Sequence, residues 1–141
     1  MLDLRLLPLL GLLLSATACS NLLDASEELD VLLVTDRTEY VHGDTMEVHF
    51  INNSDESVGY GACSRSLERR TGGEWRPVFE EPQVCIAILY VLKPGERRVE
   101  RQPVDATLPA GTYRLRQRIM PGRRVPEKRI SSPTLTIRAL G

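Results

Sequence analysis

Few residues of this 141-residue chain have chemical range: two histidines, three cysteines and a short arginine-rich run near the C-terminus. His42 and His49 are the only imidazoles able to act as bases or ligands. A catalytic base needs a nucleophile held against it, and Ser64, Ser66, Ser131 and Ser132 stand in no context that would activate a hydroxyl. Zinc needs at least three protein ligands; two histidines seven residues apart among scattered carboxylates do not supply them. Gly72-Gly73 lacks the strand-to-helix setting of a phosphate loop and reads as a hairpin turn. The expectation is a chain with no catalytic residues, no metal and no cofactor.

The arginines are the other candidates. Arg114, Arg116 and Arg118 recur at spacing two, which places them on one face of a strand. Arg123 and Arg124 follow in a Pro- and Gly-containing segment, Met120–Lys128, that reads as a loop. Residues 24–47, by contrast, hold eight carboxylates against Arg37 alone. Two uses of the arginines are open: a solvated face that pairs with acidic neighbours, or a patch for an anionic partner such as a phosphate-bearing envelope glycolipid or an acidic protein. The whole chain has a net charge of −1, too little positive charge to argue for nucleic acid. Trp75, the only tryptophan, lies just after the expected hairpin turn and reads as packing over a sheet edge.

The cysteines divide by setting. Leu6–Leu14 is a nine-residue apolar block with seven leucines. As helix it rises only about 14 Å, against about 30 Å of hydrocarbon in a bilayer. It is therefore too short to span, and it suits the core of a signal peptide. Small residues 15–18 (Ser-Ala-Thr-Ala) and Cys19 follow. That order resembles a bacterial lipoprotein signal. The resemblance implies cleavage before Cys19, a diacylglyceryl group on its sulfur and membrane attachment through that lipid. Ala16 departs from it, since leucine is more usual there. An ordinary secretory cut after Ala18 and an uncleaved anchor are the alternatives. Ser20 is, by the same resemblance, compatible with the outer rather than the inner membrane in a host with two. The divisions expected are 1–18 signal peptide, 19–29 lipidated cysteine and tether, and 30–141 folded domain.

Cys63 and Cys85 remain. Beyond an export signal two such cysteines favour a disulfide, worth ~3 kcal/mol in the loop-entropy account. Two buried thiols and a metal pair are the alternatives.

From Asp30 onward the apolar period is two. Val31–Thr35 is a β-branched run, and Met46, Val48 and Phe50 alternate with Glu47 and His49. Ser66–Arg70 and Glu74–Phe79 flank the Gly-Gly turn; Cys85–Leu92 is apolar on both faces, as in a central strand; Arg97–Gln102 is charged, as at an edge. Tyr113, Leu115, Gln117 and Ile119 alternate with the arginines, and Leu135 and Ile137 share a face. Eight or nine short strands with regular turn signals predict an all-β antiparallel sandwich, with a closed barrel as the alternative.

Several short motifs occur in order: Thr38-Glu39-Tyr40 with Gly43-Asp44, Asn52-Asn53-Ser54, Tyr60-Gly61, Leu67-Glu68, Gly73-Glu74-Trp75, Leu92-Lys93-Pro94-Gly95-Glu96 and Pro109-Ala110-Gly111-Thr112-Tyr113-Arg114. The series resembles a bacterial immunoglobulin-like domain of small exported proteins and lipoproteins, from Val31 to the C-terminus. A more distant likeness is to a bacterial proteinase-inhibitor domain. The first implies a sandwich and carries no catalytic residues. The resulting expectation is a non-catalytic, lipid-anchored envelope protein whose domain binds a partner, either an envelope protein or an anionic envelope component. A protease inhibitor acting through an exposed loop is the alternative, and an envelope enzyme a further one.

Overall fold

The computed structural model describes residues 29–78, 88–122 and 126–141, and every regular element among them is a strand. In chain order these are β1 (Val31–Thr35), β2 (Glu39–Val41), β3 (Thr45–Asn52), β4 (Val58–Thr71), β5 (Glu74–Pro77), β6 (Leu89–Leu92), β7 (Arg97–Pro103), β8 (Gly111–Pro121), β9 (Lys128–Ser131) and β10 (Leu135–Arg138). One sheet has the order β1-β3-β7; the other runs β2-β10-β8-β4-β5, with β6 also on β4 and β9 on β8. The two inner faces bury one apolar core that includes Leu33, Phe50, Tyr60, Leu115 and Ile137. Phe50 and Tyr60 meet edge-on with ring centroids 4.4 Å apart. This is the expected immunoglobulin-like β-sandwich.

The sheets exchange the chain early. β1 pairs antiparallel with β3, whereas β2 crosses to the other sheet and runs parallel to β10. Asp36 sits at that crossing, where Oδ1 accepts from Tyr40 Oη at 2.6 Å and from Glu47 N at 2.8 Å. Burial alone would raise its pKa, but these bonds and the Arg37 guanidinium outweigh it and hold the carboxyl below its usual range. At the opposite end of the molecule Asn52 closes β3 with its side chain turned inward and fully buried. Its amide donates to Glu56 O and Leu92 O, and its Oδ1 accepts from Ser54 N and Oγ. The Asn-Asn-Ser motif thus organises the turn from inside the fold.

Four elements differ from expectation. β4 is a single 14-residue strand, because Gly61 lies in a bulge and does not end the strand. The register against β8 slips between Tyr60 and Arg65. β2 and β9, three and four residues long, are too short to show a period. The apolar run Cys85–Leu92 is not a central strand over the part described. β6 begins at Leu89 and pairs only with β4 among the described residues, leaving Leu89 and Val91 60% and 51% exposed. Among the described residues only one strand flanks it, and its outward side chains are left exposed. β7 is the charged edge strand expected: among the described residues it pairs only with β3, and it turns Arg98, Glu100 and Gln102 toward the core. Inward charges on an edge deter further strand pairing.

Candidate functional site

The outer face of the larger sheet carries the residues singled out from the sequence. β8 buries Tyr113, Leu115, Gln117 and Ile119 and turns Arg114, Arg116 and Arg118 outward, so the three arginines share one face. Arg123 and Arg124 lie outside the described residues.

The arginines are partnered. Glu68 on β4 stands opposite Arg114 and is only 6% exposed. Its Oε2 accepts from Arg114 at 2.7 Å, and its Oε1 lies 3.5 Å from Arg116 Nη1. Trp75 on β5 caps the pair, with the Arg114 guanidinium 4.5 Å and that of Arg70 5.9 Å from its ring. Trp75 therefore packs on the outer face of β5, the strand at the edge of this sheet among the described residues. Arg118 reaches Glu127 at 3.5 Å, with both side chains about half exposed. The solvated, paired use of this face accounts for Arg114 fully and for Arg116 and Arg118 in part. Arg116 Nε is buried without a hydrogen-bond partner.

The bulge in β4 divides this face. Ser64 Oγ donates to Gly61 O at 2.8 Å and accepts from Gln117 Nε2 at 2.6 Å. The slip turns Arg65 inward, where it donates to Gln117 Oε1 at 3.1 Å and to Glu100 Oε2 at 2.6 Å. Tyr60 Oη donates to Glu100 Oε1 at 3.0 Å. A polar bridge thus ties β7 of the small sheet to β4 and β8 of the large one. Burial, and then the Glu100 carboxylate, pushes the Tyr60 phenol up to about 12. Glu68 stood among the sequence motifs only as part of Leu67-Glu68, without a partner, and Arg65 was not singled out. The inward charges of β7 were the available signal for a polar seam.

Two surface depressions flank the bulge. A groove of about 270 Å³ is lined by Ser64, Ser66, Glu68, Arg116, Arg118 and Arg129, among others. A shallower one of about 260 Å³ is lined by Gly61, Cys63, Ser64, Ile88, Leu89 and Arg118. Cys63 is a bonded cysteine; Cys85, its expected mate, and Cys19, the expected lipid attachment, lie outside the described residues.

Each histidine contacts a neighbour brought to it by the fold, although His49 Nε2 is buried without a hydrogen-bond partner. His42 Nε2 lies 2.8 Å from Leu108 O, which makes that nitrogen a donor. His49 faces away from Met46, Val48 and Phe50, as its alternation predicts. Its Nδ1 contacts the Arg97 guanidinium, and its Nε2 lies 3.7 Å from Glu47. Among the described residues no three His, Cys, Asp or Glu side chains converge on a possible metal position.

The short motifs now have physical reasons. Tyr113 Oη donates to Pro109 O four residues upstream, the tyrosine-corner geometry of immunoglobulin-like sandwiches. Arg69 Nη2 donates to Ala110 O at 2.8 Å. A Cβ on Gly111 would stand 2.9 Å from Arg69 Nε, so this glycine makes room for that arginine. Leu67-Glu68, Gly73-Glu74-Trp75 and Tyr113-Arg114, far apart in the chain, meet in the Glu68–Arg114–Trp75 cluster. With the switched first strand and the tyrosine corner in place, the class is an immunoglobulin-like sandwich. The bacterial Ig-like domain family matches residues 27–134, most of the chain, and the chain belongs to that family. No curated protein matches it.

Proposed function

We propose that this chain is a non-catalytic, lipid-anchored interaction module of the cell envelope, with Cys19 as the lipid attachment and Cys63–Cys85 as a structural disulfide. Membership in a bacterial Ig-like family supports the binding role, and the apolar block ending in small residues before Cys19 supports export and anchoring, toward the outer membrane in a host with two.

One observation carries the site: the groove in which Arg116, Arg118 and Arg129 converge beside Ser64 and Ser66. Its one lining carboxylate, Glu68, is already shared by Arg114 and Arg116. Guanidinium groups with the Ser66 hydroxyl alongside suit a phosphate or carboxylate on an anionic envelope component. Titration of a phosphorylated glycolipid in detergent micelles tests it. Binding should weaken as salt rises, and the double change Arg118→Ala with Arg129→Ala should weaken it about tenfold or more, since each charge-assisted bond is worth ~1.5 kcal/mol or more. Binding indifferent to salt and to both substitutions would remove the groove as the site. Intact mass before and after reduction tests the anchor and the disulfide: an acyl adduct on Cys19 and a two-hydrogen gain are expected.

A further inference from the structure

The strands of the larger sheet expose an apolar surface at one particular end of the sandwich. Val31 pairs with Asn52, and the Asn52 side chain donates to Leu92 O. Val58 pairs with both Leu92 and Pro121. The start of the fold and the ends of β6 and β8 therefore share one end. The chain finishes at the other, where Ile137 of β10 pairs with Gly111.

Val91 and Met120 stand one residue in from the entry end and Leu89 three, within about 10 Å at the rise of a strand. These three and Ile88 are all exposed large apolar residues. They are contiguous: a Cβ on Gly59, between their strands, would touch Leu89 Cδ1 at 3.6 Å and Met120 Cβ at 3.8 Å. A depression lined by Ile88, Leu89 and Gly61 extends the surface toward Arg118.

The chain between Cys19 and Val31 is about a dozen residues, which reach at most about 40 Å when extended. A lipid on Cys19 would keep the entry end close to the bilayer, and with it this surface. We propose that Ile88, Leu89, Val91 and Met120 dock the domain against the membrane that holds the Cys19 lipid. The proposal rests on the anchor reading above. The tether supplies the high local concentration that lets so small an apolar contact form. Asp55 and Glu56 lie in the loop at the same end, so the contact is apolar and does not depend on anionic lipid. Arg118 at its far border can lay its stem along the apolar surface with its head among lipid headgroups.

The test uses the full acylated protein in vesicles of zwitterionic phospholipid with brominated acyl chains. Leu89→Trp places a reporter in the surface, and Val91→Trp is a second one should the first disturb the fold. Native Trp75, beyond the bulge, is the internal comparison. Bromine should quench the emission added at position 89 or 91 several-fold more than that of Trp75, unchanged by salt. Equal quenching, in chains whose intact mass carries the acyl adduct, overturns the docking and leaves the anchor standing. A chain without the adduct overturns the anchor, and the docking with it. An unquenched reporter together with a dimer that Leu89→Asp dissolves would assign the surface to a second copy, and would also overturn the proposal.

Discussion

The outer face of the larger sheet has two halves, built on the same strands and divided by the bulge in β4. Toward the hairpin, Glu68, Arg114 and Trp75 lock together, with the carboxylate paired and nearly buried. Toward the end where β1 begins, glycines 59 and 61 leave the sheet bare, and Leu89, Val91 and Met120 stand open. One half pairs most of its charge within the fold; the other presents exposed apolar surface. Charge on a sheet face is thus a poor guide to where a partner binds, because the most basic strand positions are the ones already neutralised. The groove at the bulge, where that pairing runs out, and the apolar half beyond it are where contacts remain available.

This contrast can be broken most severely at Glu68. Glu68→Ala leaves the Arg114 guanidinium partly buried without its carboxylate and should cost ~3–5 kcal/mol in urea unfolding. A loss near zero would show the polar half to be as slack as the apolar one. Tyr60→Phe, which removes a bond to the Glu100 carboxylate at the dividing line, should cost ~1.5–3 kcal/mol at neutral pH.

The same phenol sets the alkaline behaviour. Its pKa is about 12 in the fold against 10.0 for the free side chain. It therefore contributes stability that is complete below pH 10 and is lost as pH rises toward 12. Unfolding curves across that range should show a smaller loss in the phenylalanine variant than in the parent, the remainder coming from Tyr40 and Tyr113, whose phenols burial also pushes up.

Gly111→Ala places a methyl 2.9 Å from Arg69 Nε and should cost ~1–3 kcal/mol. Adding Arg69→Ala should recover part of it, read from a double-mutant cycle. Trp75→Leu removes the ring under two guanidinium groups and should cost about 1 kcal/mol. The smallest effect belongs to the open half: Leu89→Ser or Val91→Ser should leave stability within ~0.5 kcal/mol. A large loss there would mean that these side chains support the fold and are not spare surface.

How much of this was legible varies by residue, for physical reasons. Met46, Val48 and Phe50 alternate with polar neighbours because one face of β3 is core and the other is not, and that burial pattern is written into the order of residues. The glycine pair of the hairpin was equally readable, since both glycines take positive φ, at 59° and 84°, as the tight primed turn requires. The arginine face was readable as a face but not as a paired one. Glu68 lies 46 residues from Arg114, and no local pattern announces a partner so far along the chain. Apolar character on both sides of Cys85–Leu92 misled, because composition records hydrophobicity and not how many strands come to lie beside a segment. The bulge was invisible for a related reason. A register slip is a relation between two strands, and Gly61 alone looks like a strand end.

Local order of residues therefore settled what depends on short-range physics: the period of the strands, their turns, and by their sum the immunoglobulin-like class. Tertiary structure decided whatever depends on which distant residue becomes a neighbour. It chose which arginines pair with Glu68, turned Arg65 inward to meet Glu100, and set β6 on a flank with its apolar side chains uncovered. Periodicity reports on burial one residue at a time, whereas ion pairs, bulges and exposed patches belong to pairs and layers that exist only once the sheets have closed on each other.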